Sequence, residues 1–102
     1  MKLYKVLAPD GSPINGGAGK WSLPRGKRPG KWMPAVKGDV VLCENGYHLT
    51  DRKHLLDWIR VDDILVCEAE GRRPHLNGGN KSVWTQARLI CIVGRLDARA
   101  LR

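Results

Sequence analysis

From Pro9 to Lys37 the chain carries Gly, Pro, Ser and Lys in place of any apolar period, so a long stretch of its 102 residues is closed to regular helix or central strand. Asn15-Gly16-Gly17 reads as a turn there, with Trp21-Ser22-Leu23 and Lys31-Trp32-Met33 as short extended pieces. A loop of this length inside a compact domain is usually functional or partly mobile. With 42% hydrophobic residues, the chain has enough apolar material for one domain, 1–102, without covalent staples.

The remaining segments predict an α+β domain with a mainly antiparallel sheet, one packed helix and the long basic loop. Met1 to Leu7 alternates as a first strand, with Lys2 and Lys5 set against Leu3 and Val6. Val40 to Cys43 forms a second, and Asn45-Gly46 is the strongest turn dipeptide in the chain. Thr50 or Asp51 caps a short helix that carries Leu55, Leu56, Trp58 and Ile59 to about Arg60, with Asp51 and Asp57 toward solvent. Ile64-Leu65-Val66-Cys67 reads as a central strand running to Gly71, Arg72 to Asn80 as a loop, and Lys81 to Gly94 as the last strand. In that strand both faces are apolar from Leu89 to Val93, which predicts burial between layers.

Charge and aromatic content point outward. The formal net charge is +8, and six of the cations lie between Lys20 and Lys37 with no acid among them. Trp21 and Trp32 bracket Arg25, Lys27, Arg28 and Lys31. Cations interleaved with rings can hold phosphates and stack bases, so Lys20, Trp21, Arg25, Lys27, Arg28, Lys31 and Trp32 form the candidate partner-binding or nucleic-acid-binding set. Arg72-Arg73-Pro74-His75 reads as a second basic group that adds to it. The competing reading is a solvated loop whose Trp residues fold back to anchor it. Four Trp and two Tyr with no Phe give every large ring a polar handle, suited to surfaces as well as cores.

Cys43, Cys67 and Cys91 each lie in an apolar run without CxxC spacing, which reads as three reduced, buried thiols and no metal site. No run reaches the length needed to span a bilayer, and the N-terminus alternates instead of forming a signal-peptide core. The expectation is a cytoplasmic protein with no cofactor and no membrane partner. Lys81-Ser82 after Asn77-Gly78-Gly79-Asn80 lacks the spacing of a Walker loop and opens a strand instead of a helix, which excludes that route to nucleotide hydrolysis.

The densest chemistry is Leu42-Cys43-Glu44-Asn45-Gly46-Tyr47-His48-Leu49-Thr50. Across a hairpin, Cys43 and His48 would sit close enough to pair as thiol and imidazole. No oxyanion hole or third member accompanies them, so Cys43, Gly46, Tyr47, His48 and Lys81 are carried as a candidate site or structural lock, without assigned catalytic residues. The order of that turn, the Leu-Leu-x-Trp segment, Glu68-Ala69-Glu70-Gly71 and Lys81-Ser82-Val83 before Ala87-Arg88-Leu89-Ile90 resembles an uncharacterised small domain of phages, prophages and pentapeptide-repeat-bearing bacterial proteins. The resemblance covers 38–97, marks Cys43, Gly46, His48, Gly71 and Lys81, and implies a small phage-type α+β domain with no activity to carry over. The expected function is a binding module for a host or phage macromolecule, without its own catalysis. The alternatives are a nucleic-acid-binding protein using Lys20 to Lys37, and an enzyme acting on a nucleotide-like substrate near Cys43 and His48.

Overall fold

A computed structural model describes residues 2–14, 19–42, 45–59 and 63–97. Four antiparallel strands, β1 (Leu3–Leu7), β2 (Tyr47–Asp51), β3 (Asp63–Gly78) and β4 (Lys81–Asp97), close into a barrel in the order β1-β2-β4-β3. Half of the wall is one hairpin, whose register runs from Gly78 opposite Lys81 to Asp63 opposite Asp97. A straight ladder of that length would not curl back on itself, and bulges are what bend a paired strand. Three interrupt this one. β4 carries an extra residue at Val93, between the Val66–Gly94 and Cys67–Ile92 pairs, and another at Ile90, between Glu68–Cys91 and Ala69–Leu89. β3 carries the third between Arg72 and His75, where Pro74 lacks a ladder donor and is tolerated for that reason.

β1 then pairs along β3 from Leu3–Ala69 to Leu7–Leu65, and β2 along β4 from Tyr47–Trp84 to Leu49–Ser82. The β1–β2 seam is only two pairs long, Leu3–Asp51 and Tyr4–Thr50. Strand alternation divides the apolar residues between two clusters. Leu7, Leu49, Leu65, Cys67, Ala69, Ala87 and Leu89 fill the barrel, joined by Trp21 and Met33 from the long loop. Val6, Ile64 and Val66 face outward beneath Tyr4, Ile14, Leu55, Trp58 and Ile59. Ile64 to Cys67 is apolar without a break because both of its faces are covered.

The predicted α+β class is not what forms. Apart from a single 3-10 turn, Leu55–Trp58, the described chain has no helix, and the architecture is nearly all antiparallel sheet. The physical reason is that β2 extends through Thr50 and Asp51, pairing the residues expected to cap a helix. Too few positions remain before β3 for a helix to be stable. Asp51 still acts locally, accepting the His54 backbone N–H at 2.9 Å and contacting His54 Nδ1 at 2.8 Å. Leu56, which the helix would have placed on its apolar face, is 81% exposed.

Other boundaries also move. Residues 72–78 belong to β3 and are not a loop. Val41 and Asn45 exchange backbone hydrogen bonds at 2.8 and 2.9 Å as an isolated bridge, so no strand runs through Val40 to Leu42. Ile92 and Val93 are 45% and 58% exposed, because the two bulges of β4 turn this stretch outward and prevent the predicted burial between layers. Residues 30–36 of the long loop have a defined course. Gly30, Met33 and Val36 donate backbone N–H groups to the carbonyls of Leu89, Ala87 and Thr85 at 2.8, 2.9 and 3.0 Å. Every third loop residue meets every second β4 residue, the cadence expected of a Pro-punctuated extended chain. This strap covers the edge of β4 beyond the point where β2 stops, and an uncovered edge would be open to pairing with another chain.

Candidate functional site

The tip of the loop is a tight reversal in which Arg25 and Arg28 exchange backbone hydrogen bonds at 3.0 and 2.9 Å. Its geometry holds Arg25, Lys27 and Arg28 out from the strap, and these three and Lys31 are all exposed. Among the described residues no acid pairs with any of the four. Lys20, by contrast, lies 3.6 Å from Asp10, with both side chains largely in solvent.

The two tryptophans that bracket this segment part company. Trp21 is 5% exposed and belongs to the barrel core, where it meets the Tyr47 ring edge-on at 5.4 Å between centroids. It anchors the loop and presents no stacking face. Trp32 stays half-buried at the surface, with the Arg72 guanidinium 3.9 Å and the Arg88 guanidinium 4.8 Å from its ring centroid. Arg88 also pairs with Glu70, and Arg72 reaches Gln86 at 3.4 Å. Gln86 in turn donates to the Met33 carbonyl at 2.9 Å. Trp32 thus joins the strap to the β3–β4 hairpin and brings cations distant in sequence onto one surface. His75, from the second basic group, is stacked on Trp84 at 4.2 Å with 9° between ring planes.

At the start of β2, Gly46 takes a positive φ of +128°. A Cβ there would overlap Val83 and come within 3.1 Å of the Trp84 carbonyl, so glycine lets the chain enter the barrel wall. Gly71 has a related role, since a Cβ at that position would overlap the Trp84 ring. Tyr47 donates its hydroxyl to the Pro34 carbonyl at 2.6 Å, tying β2 to the strap. His48 faces away from the barrel core. Burial, then the charges of Lys5 and Lys81, hold its imidazole below the ordinary histidine range, while a hydrogen bond to the Gly46 backbone pulls the other way. The described geometry therefore places His48 near Lys81 and the Gly46 backbone, while Tyr47 turns to the opposite face of β2, against Trp21. Cys43 lies outside the described residues.

Lys81 carries its ammonium 5.7 Å from the Trp58 ring centroid, and the Trp58 indole N–H donates to the Asn80 carbonyl at 3.1 Å. Cys67 is fully buried and its thiol is pushed up to about 11 by burial and the neighbouring Cys91. Cys91 is half-buried and donates to Glu68 Oε2 at 3.4 Å. Among the described residues no group of three or more His, Cys, Asp or Glu gathers as metal ligands. No helix there is long and apolar enough to cross a membrane.

One residue escaped the reading of the sequence. Lys5 was assigned to the polar side of β1, opposite Val6, yet it shares its face with Leu3 and Leu7 and points into the barrel. The alternation Leu3-x-Lys5-x-Leu7 carried that signal. Its Nζ donates to the His48 carbonyl at 3.0 Å and lies 5.3 Å from the Trp21 ring centroid. No protein-family model matches the chain, and neither a curated protein nor a solved structure does.

Proposed function

We propose that the chain is a small non-catalytic binding module for a host or phage macromolecule, and that the partner its surface favours is a nucleic acid. The observation that carries this reading is Trp32 beneath both Arg72 and Arg88. It joins the strap that carries the exposed Arg25, Lys27, Arg28 and Lys31 to a hairpin bearing further arginines, in a chain of net charge +8. Such a face exchanges counterions for phosphates, and the Trp32 surface adds a site for stacking or guanidinium contact. His48, engaged with the backbone of its own turn, supports a structural part for that corner.

The test is a titration against single- and double-stranded DNA and RNA at low and physiological salt, with the Arg25→Glu/Lys27→Glu/Arg28→Glu variant as control. Micromolar or tighter binding is expected to survive physiological salt and to vanish in the variant. Each phosphate contact contributes about −0.7 to −0.9 to the slope of log K against log salt, so any residual binding should show a slope shallower by about 2 to 3. Binding of unchanged strength and slope in a folded variant overturns the reading and points to a protein partner.

A further inference from the structure

One carboxylate intrudes on the basic face. The register sets Glu70 opposite Arg88 and Arg72 opposite Gln86, so strand alternation puts these four side chains on one surface of the hairpin, against Trp32. Among the described residues Glu70 is the only acid in contact with either guanidinium. We propose that Glu70 is a built-in competitor for phosphate: it holds Arg88 while the face is empty and yields it to a phosphate oxygen of the bound nucleic acid, and so limits both affinity and salt dependence. The assignment rests on the nucleic-acid reading of this face.

The manner of pairing suits an exchange. Arg95, at the other end of the hairpin, closes on Asp63 with two bonds, Nε to Oδ1 at 2.9 Å and Nη2 to Oδ2 at 2.6 Å, the fork that fixes a guanidinium most firmly. Arg88 gives Glu70 its Nε alone, and among the described residues its other nitrogens meet no carboxylate. A guanidinium carries further N–H donors beyond Nε, so a phosphate can be engaged before the carboxylate is released. Trp32 holds the group meanwhile, with the Arg88 guanidinium 4.8 Å from its ring centroid. The side chains are partly open to solvent, 32% for Arg88 and 40% for Glu70, so the exchange disturbs nothing in the core. An ion pair of this exposure is weak enough for a second anion to displace. Arg88 with Glu70 adds no net charge to the face, whereas Arg88 released from it adds one cation.

The loop-tip titration, with its DNA and RNA probes, is extended to Glu70→Gln and to Asp57→Asn. Asp57 contacts Asn80 at 3.4 Å, at the turn of the hairpin and about 20 Å from Arg88 at the rise of a strand, well beyond the screening length of about 8 Å at physiological salt. Glu70→Gln is expected to bind about two- to fivefold tighter at physiological salt, the worth of an exposed ion pair, with a slope of log K against log salt steeper by about 0.7 to 0.9. Adding Arg88→Gln to it should return the slope to the parental value, and Asp57→Asn should match the parent in both respects. Proton–nitrogen NMR of the arginine Nε groups follows the exchange directly. The Arg88 signal, identified as the one that Arg88→Gln removes, should move when the parent is saturated with nucleic acid. Should Glu70→Gln fail to fold, this parental titration decides the matter. An Arg88 signal unmoved at saturation, or a Glu70→Gln variant no different from the parent or from Asp57→Asn, overturns the proposal, and the nucleic-acid reading stands if the loop-tip variant still loses binding. A parent that binds none of the probes overturns both.

Discussion

Replacing Lys5 by Met should stabilise the protein at neutral pH, and by an amount that depends on pH in a defined direction. The folded state lowers the Lys5 ammonium from 10.5 to about 8 because burial strips its water. Below pH 8 both folded and unfolded chains carry the proton, and the folded one bears a buried charge at a cost of about 3 kcal/mol, taking 1.36 kcal/mol per tenfold difference in proton affinity. Between pH 8 and 10.5 the unfolded chain binds more protons than the folded one, so this cost is relieved as pH rises and is gone above 10.5. Methionine has a similar shape and no charge, but it leaves the His48 carbonyl without its donor, a loss of about 1 kcal/mol. The Lys5→Met variant should therefore be more stable than the parent by about 2 kcal/mol at pH 7. The gap should close, or reverse by about 1 kcal/mol, at pH 10.5. Urea unfolding of both proteins at the two pH values measures it directly, since titrations common to both cancel in the difference. At pH 7 the melting temperature should rise by roughly 4–8 °C per kcal/mol. A gap of equal size at both pH values, or a variant less stable at pH 7, would refute the reasoning.

Three other outcomes follow from the packing. Gly71→Ala sets a methyl group against the Trp84 ring and should cost about 1–3 kcal/mol by overpacking; a urea midpoint unchanged within error would show that the ring can yield. Trp21→Ala and Trp32→Ala should differ sharply, the first costing about 3–5 kcal/mol as a core truncation and the second about 1 kcal/mol through lost cation–π contact. Limited trypsin digestion should show faster cleavage at Lys31 in the Trp32 variant as the strap loosens. The Asp51 carboxyl is held below its ordinary range by the His54 side-chain and backbone hydrogen bonds, so its contribution is present above that range and lost as pH falls through the folded value. Asp51→Ala should thus flatten the acid limb of the stability profile, measured by unfolding between pH 6 and 3.

Much of the barrel was written in local patterns. Leu3 to Leu7, within the strand read over Met1 to Leu7, came from the alternation of Lys with apolar residues, while Ile64 to Gly71 and Lys81 to Gly94 came from apolar runs closed by Gly. Residues 72–78 did not read so, since Pro74 and the Asn77-Gly78 pair are turn signals, and the bulge that accommodates Pro74 is set by tertiary register. The helix expected after Thr50 failed for a similar reason. Its cap and apolar spacing were genuine, but pairing of Tyr4 with Thr50 and Leu3 with Asp51 took the cap into the sheet. At the candidate site the exposed loop-tip cations were legible as a run of Arg and Lys. The separate fates of Trp21 and Trp32 were not, because spacing along a loop carries no information about which ring turns inward. Lys5 was missed through choosing the wrong neighbours for its alternation.

The two-pair seam between β1 and β2 fixes an order of events for a chain that has to find this barrel. Gly78 and Lys81 are nearly adjacent in sequence, so the hairpin can zip outward from its turn with little loop-closure entropy, whereas Leu7 must meet Leu65 across 58 residues. Closure by β1 is accordingly the non-local, late step. Lys5 loses its water only in that step, so the effect of its charge on the folding rate, set against its effect on the opening rate, reports how far β1 has docked at the rate-limiting barrier.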